Sequence, residues 1–271
     1  MADTTESFIS LTVYELSMTE EKQRVITDLV NDSLDKAEAV WEEVGTELLR
    51  NKAAQFSNES IQASMPTLIP GHEFIEEGKP LVDEFIALVL DMRDSSKHLN
   101  FAIADTDASQ LKRVFYETAA LLPACSQLIA DQEGGVTEYL GDGLLAFFAV
   151  DEKDKGDACY KSHHAASGCM NAVSKVINPI LYERYRLPPL AIGIGMSVSK
   201  AVLTITGQAN FLKPVAFGQC VFHATKLSKG RGEIVVDEAL QLLWPKSKTG
   251  RISFRACKMN DIAGYVIQTS K

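Results

Sequence analysis

The segment spanning residues 85–92, FIALVLDM, limits what this chain can become more than any other. Six apolar residues in succession are too few for an ordinary helix and read as a buried strand. The run closes on Asp91, as expected of a buried strand that stops at a site. Further along, residues 135–139 and 144–150 read as two strands joined at Gly141-Asp142-Gly143, a strong hairpin signal. If the hairpin tip lies beside the end of the first strand, Asp91 and Asp142 converge on one point. Two carboxylates with few other protein ligands suit magnesium or manganese when substrate phosphates complete the shell. The turn that follows, MRDSS at residues 92–96, can offer backbone N–H groups to a triphosphate. Either aspartate alone has a plainer reading, Asp142 as filler of a type I′ turn and Asp91 as a cap. The pair carries the argument.

Around this nucleus the chain alternates strand and helix, which favours an α/β (α+β) domain. Residues 18–54 carry Val25, Ile26, Leu29, Val30, Leu34, Ala37, Val40, Trp41, Val44, Leu48 and Leu49 at helical spacing, a long amphipathic helix whose stripe must bury against the domain or a partner. Residues 55–80 read as a loop or linker, so the expected division is an N-terminal helical extension and linker at 1–78 and a catalytic unit at 79–271. Helices are expected over 108–131, over 157–185 with a kink at Asn178-Pro179, and over 217–229. Strands are expected as a pair within 190–206, one at 233–236 and a last antiparallel pair within 252–267.

The net charge of −9 and pI near 5.1 argue against a surface built for nucleic acid or for an anionic membrane. The opening MADTTESF has no signal-peptide character, and no apolar run approaches the roughly 20 residues that span a bilayer, so a cytoplasmic protein is expected. Cys125, Cys159, Cys169, Cys220 and Cys257 are scattered and read as free, mostly buried thiols.

Four blocks, in order, resemble the signature blocks of class III adenylate and guanylate cyclase catalytic domains: FIALVLDMRDSS (85–96), YLGDGLLAFF (139–148), IGIG (192–195) and GQCVFHATKL (218–227). The resemblance spans residues 79–268, about 70% of the chain. It implies a ferredoxin-like core, a head-to-tail homodimer with shared active sites, and two divalent cations, Mn2+ or Mg2+, held by Asp91, Asp142 and the Met92 carbonyl. It also implies nucleotide contacts at Phe85, Met92, Ser95, Ser96, Glu138, Val215, Phe222 and Lys258, with Lys226 and Arg93 as the cations of the reaction.

The fourth block departs from the family helix. Phe222 stands where a ribose-orienting Asn is usual and Lys226 where Arg is usual, so a point charge replaces a planar fork. His223 and Gln219 are the nearest polar substitutes for the Asn. Glu138 and Val215 occupy the base-reading positions, where adenylate cyclases place Lys and Asp, which argues against ATP. Asp91, Arg93, Ser95 and Ser96 resemble the Asp-x-Arg-x-Ser-Ser of the bacterial anti-phage (Pycsar) pyrimidine cyclases. That resemblance implies conversion of UTP, ahead of CTP, to a cyclic nucleotide that activates a defence effector. A GTP-specific cyclase and a catalytically silent nucleotide-binding homologue stand as alternatives. His163-His164 read as ordinary helix surface, Trp41 and Trp244 as packing residues, and residues 230–232 as a helix-terminating turn.

Overall fold

The computed structural model describes residues 18–48, 64–100, 109–208, 211–246 and 252–269. In chain order these form α1 (Glu20–Leu48), β1 (Ser64–Pro66), β2 (Phe74–Glu76), β3 (Leu81–Met92), α2 (Ser95–Asn100), α3 (Gln110–Ala130), β4 (Gly135–Tyr139) and β5 (Gly143–Ala149). There follow α4 (Lys155–Ala172), a π-helical turn (Val173–Ile177), α5 (Asn178–Tyr185), β6 (Ile192–Gln208), β7 (Phe211–Gly218), α6 (Gln219–Leu227), β8 (Ile234–Val236), α7 (Glu238–Leu243), β9 (Ile252–Met259) and β10 (Ile262–Thr269).

Eight strands make the main sheet in the order β4-β5-β3-β6-β8-β10-β9, with β7 also paired to β6. Within it β3-α3-β4-β5-α4-β6 gives the ferredoxin-like order β4-β5-β3-β6, with β3 antiparallel to both of its neighbours. The apolar run of β3 is explained by two covers. Ile86, Leu88, Leu90 and Met92 enter a core shared with α1, α3 and α4. Phe85, Ala87 and Val89, alternating with them, pack on the other face with Cys220 and Ala224 of α6. Asp91 is the next residue on that second face.

The amphipathic helix predicted over 18–54 is α1, and what lies beyond Leu48 falls outside the described residues. Ile26, Val30, Leu34 and Ala37 share one core with β3 and α3. Arg184 of α5 clasps the helix at Asp35 (2.5 Å) and Glu38 (2.9 Å). The helix is thus packed on the sheet domain itself.

Several elements differ from expectation. Residues 64–76, read as linker, hold the antiparallel pair β1–β2. The expected strand pair within 190–206 is the single 17-residue strand β6, continuous because β3 and then β7 flank its successive stretches. The helix expected from residue 217 begins at Gln219, and the stretch before it is β7, whose alternation is masked by Pro214 and small residues. At Asn178-Pro179 the chain stays helical, and the π turn just before absorbs the hydrogen bond that proline cannot make. The thiols follow expectation, four buried and Cys257 half-buried. Trp244 is buried edge-on to Phe254, and Trp41 packs on Phe115.

His163 is not helix surface: it is buried edge-on to Trp244 (5.6 Å), with Nε2 3.2 Å from the Ser167 hydroxyl. Burial, helped by the neighbouring His164, pushes its pKa down to about 4. A depressed folded-state value means that stability is full above the unfolded histidine value of roughly 6.5 and is lost as pH falls toward 4. Urea midpoints at pH 7 and pH 5 should show about 2 kcal/mol of acid destabilisation in the wild type that His163→Gln does not show.

Candidate active site

Asp91 has glycine on both sides. Its register partners are Gly143 on β5 and Gly193 on β6. A Cβ on Gly143 would lie 2.2 Å from the Leu90 carbonyl oxygen, and one on Gly193 would lie 2.0 Å from the Gly230 oxygen and 2.2 Å from that of Ser228. No side chain fits at either position, so the carboxylate has no cross-strand side chain against it. Gly195 has the same role a pleat further along, where a Cβ would meet the Ala224 oxygen at 2.0 Å. The glycines of IGIG therefore seat the end of α6 and the loop after it directly on β6, and bring Lys229 to Asp91.

Asp142 arrives from the β4–β5 hairpin. Gly141 alone of the two central residues has a positive φ (81°), the requirement of a type II′ turn rather than the I′ turn expected. The Met92 N–H donates to the Asp142 carbonyl (3.2 Å), which bonds the hairpin tip to the end of β3. Met92 has its side chain in the core, so it can offer the site only main-chain atoms.

Two cations stand against the aspartates. The Arg93 guanidinium pairs with Asp91 Oδ2, and Lys229 Nζ lies 3.2 Å from the same oxygen. Arg93 Nη1 also donates to the Lys229 carbonyl (3.2 Å), tying strand end to loop. Burial lowers the pKa of both Arg93 and Lys229, and the negative charge of Asp142 opposes that shift in each. The charge of Asp142 is thus felt at both of the cations that meet Asp91. A second ring lies outside, where Asp94, in left-handed backbone (φ 63°), pairs with Arg231 and with Lys97 at 2.8 Å. Among the described residues no third His, Cys, Asp or Glu joins the two aspartates. With glycine opposite on both neighbouring strands and cations as its side-chain contacts, this pair of carboxylates suits a hard divalent ion whose remaining ligands are phosphate oxygens and water.

The other predicted residues fall into three places. Ser95 and Ser96 open α2, which is held to α3 by His98 Nδ1 on the buried Glu117 (2.8 Å). Glu138 and Val215 line a cavity of about 400 Å3, walled by Pro66–Ile69 on one side and by Lys213 and Pro214 on the other. Lys213 Nζ stands 3.5 Å from Glu138 Oε1 there. Glu138 pairs with Leu145, which pairs with Val89, so the cavity lies on the face of Asp91, two strands across. Phe222 and Lys226, one turn apart on α6, are both exposed and look away from the Asp91 of their own chain. Lys258 pairs with Asp261 (3.4 Å) at the exposed β9–β10 turn.

Phe85 requires correction. It is fully buried edge-on to Phe147 (5.6 Å) and offers no surface to a ligand. His223 is pinned through Nδ1 to Asp237 (3.2 Å), which also accepts from Ser197 (2.6 Å), while Gln219 reaches His223 Nε2 (3.2 Å). Lys229, Arg231 and Lys213 escape a reading of the sequence. The basic KGRG after α6 is the available signal, and it reads first as a turn.

No protein-family model and no curated protein matches the sequence. Solved structures do match in shape. The guanylyl cyclase Cya2 aligns at TM-score 0.58 and 15% identity over 70% of this chain and 94% of that one. The adenylyl cyclase CyaB from P. aeruginosa aligns at 0.57 and 14%, over 71% and 96%. The guanylate cyclase domain of RhGC from Catenaria anguillulae, solved with GTP, aligns at 0.53 and 11%, over 72% and 100%. At these identities the likeness concerns architecture: the chain has the fold of class III nucleotide cyclase catalytic domains.

Gly193→Ala should force the backbone of the loop after α6 away from β6, because the obstructing atoms are carbonyl oxygens. A stability loss of about 1–3 kcal/mol is expected in thermal or urea denaturation.

Proposed function

We propose that the chain is a two-metal nucleotide cyclase that converts UTP to 3′,5′-cyclic UMP and pyrophosphate. The observation that carries this reading is that the turn bearing Asp142 is hydrogen-bonded to Met92, next to the Asp91 that Arg93 and Lys229 meet at the end of a buried strand. In the reaction the ribose 3′-oxygen bonds to the α-phosphorus, the 3′-proton is lost, and the bond from that phosphorus to the pyrophosphate oxygen breaks. When bound, Mn2+ or Mg2+ supplies acidity at the 3′-hydroxyl and charge neutralisation at the leaving pyrophosphate. Asp91, Asp142 and the Met92 carbonyl would hold the two ions. Arg93, its side chain mostly buried, would meet phosphate, and the rate would come from positioning and charge. Ser95 and Ser96 lie beside that position at the start of α2.

The base would enter the cavity beside Glu138 and Val215. There Lys213 can donate to uracil O4 while Glu138 accepts from N3–H, and Val215 offers no hydrogen bond for adenine. Guanine presents the same carbonyl and N–H edge through O6 and N1–H, which makes GTP the second reading. CTP follows, and a silent nucleotide-binding homologue is the remaining alternative.

Phe222 and Lys226 would act across a homodimer interface, with Lys258 as a further phosphate contact from the partner copy. Their outward placement on α6 supports such sharing. Residues 79–271 would be the catalytic unit and residues 1–78 the extension that braces it. The Asp91-x-Arg93-x-Ser95-Ser96 resemblance to the anti-phage cyclases supports a cytoplasmic second-messenger role in antiviral defence. No described helix is long and apolar enough to cross a membrane.

Purified protein incubated with manganese and each of the four ribonucleoside triphosphates should release pyrophosphate chiefly from UTP, with a cyclic product seen by mass spectrometry. Turnover of ATP alone would overturn the substrate assignment. Asp91→Ala should lower that rate at least about a hundredfold, since several kcal/mol of charge stabilisation would go with it. A rate unchanged by the substitution would remove the metal reading.

A further inference from the structure

Resting on the two-metal reading above, we propose that Lys229 competes with a divalent cation for Asp91 and, once displaced, becomes a triphosphate-positioning residue of the same chain. Its ammonium lies 3.2 Å from Asp91 Oδ2, one of the two carboxylate oxygens that a hard cation would approach to within about 2.0–2.2 Å. Arg93 is already on that oxygen, so a divalent ion there would be a third positive centre, and the crowding is relieved when one of the two side-chain cations moves.

The surroundings decide which group yields. Arg93, on the same oxygen, has a side chain only 15% exposed, and its Nη1 is committed to the Lys229 carbonyl. The Lys229 side chain is 46% exposed and carries its charge on a flexible stem with freely turning donors. Its root is fixed all the same. The flanking Ser228 and Gly230 carbonyls press on Gly193, and the Arg93 hydrogen bond holds its own carbonyl. An ammonium displaced from Asp91 therefore pivots about an anchored backbone and stays at the mouth of the site.

Charge balance favours the same outcome. Four cations, Arg93, Lys229, Arg231 and Lys97, stand against three carboxylates, Asp91, Asp142 and Asp94. A divalent ion taking Asp91 frees one positive charge beside the place where its triphosphate must lie. Lys226, chosen on sequence grounds, has no such contact. Lys229, three residues later, does.

The test uses the full chain with Lys229→Met, which keeps the stem and removes the charge, and with Lys229→Arg, which keeps a cation. Free Mn2+ is followed by electron paramagnetic resonance in the absence of nucleotide. Affinity for inorganic tripolyphosphate with Mn2+ is followed by calorimetry, so that base preference has no influence. Lys229→Met should take up Mn2+ at least about threefold more tightly and tripolyphosphate at least about threefold more weakly than wild type. Lys229→Arg should restore tripolyphosphate affinity to within about twofold of wild type. Shifts of the same sign, as general loosening would give, or no shift at all, overturn the proposal. Asp91→Asn separates the two levels. If it abolishes Mn2+ uptake while Lys229→Met matches wild type, only the role of Lys229 falls. If Asp91→Asn takes up Mn2+ like wild type, the metal reading falls and the role of Lys229 with it.

Discussion

A charge at the end of a strand buried on both faces is the constraint from which the rest of this structure follows. An unpaired carboxylate inside a core costs several kcal/mol, so β3 can carry Asp91 only where the sheet stops and cations or solvent begin. The glycines opposite it, Gly143 and Gly193, serve that need from both neighbouring strands. They remove the side chains that would otherwise bury the carboxylate, and on the β6 side they admit a loop that brings a lysine. Core packing and the end of the strand are thus one arrangement: the strand must be apolar up to Leu90 to be covered, and flanked by glycine at Asp91 to leave room for the cations that meet it.

The whole-chain charge of −9 says little about this corner. Locally Arg93, Lys229, Arg231 and Lys97 stand among Asp91, Asp142 and Asp94, so the site is close to neutral and slightly positive. Such a balance suits a ligand that brings phosphates and divalent cations together, because the load added is itself nearly neutral. It also explains why an acidic protein can be proposed to bind a polyanion without a basic surface.

Much of this is legible in the residues. The apolar run and the Gly-Asp-Gly tip announce β3 and the hairpin because their signals are local: periodicity in one case and turn chemistry in the other. Where structure depends on pairing partners far away in sequence, the local signal fails. Residues 192–208 form one strand because β3 and β7 extend it, which no window of that stretch reveals. β7 itself, with Lys213, Pro214 and Val215 lining the cavity, lacks clean alternation. Lys229 goes unseen for a related reason. Its placement comes from the close approach of Gly230 to Gly193, 37 positions apart in the chain. Phe85 is misassigned because a buried aromatic and a ligand-facing one look alike in sequence.

The outward face of α6 bears on how many copies make a working unit. Cys220, Ala224 and Leu227 face inward and are buried, which turns Phe222 and Lys226 away from Asp91 of their own chain. Phe222 is 66% exposed, and Phe217 just before the helix is 54% exposed. Beside Phe217 in register lie Val202 and then Val82, both exposed. Scattered apolar residues on a surface need no account, but a row of them across three strands is costly to leave in water. The proposed homodimer would cover that surface and carry Lys226 toward the aspartates of the other copy. Two cations of different origin would then serve one triphosphate, Lys229 from the chain that holds the metals and Lys226 from its partner. A planar arginine at position 226 would matter less in a site that already has Arg93 and Lys229 beside the phosphates. That division of labour offers a physical reason why the departures at residues 222 and 226 need not silence the domain.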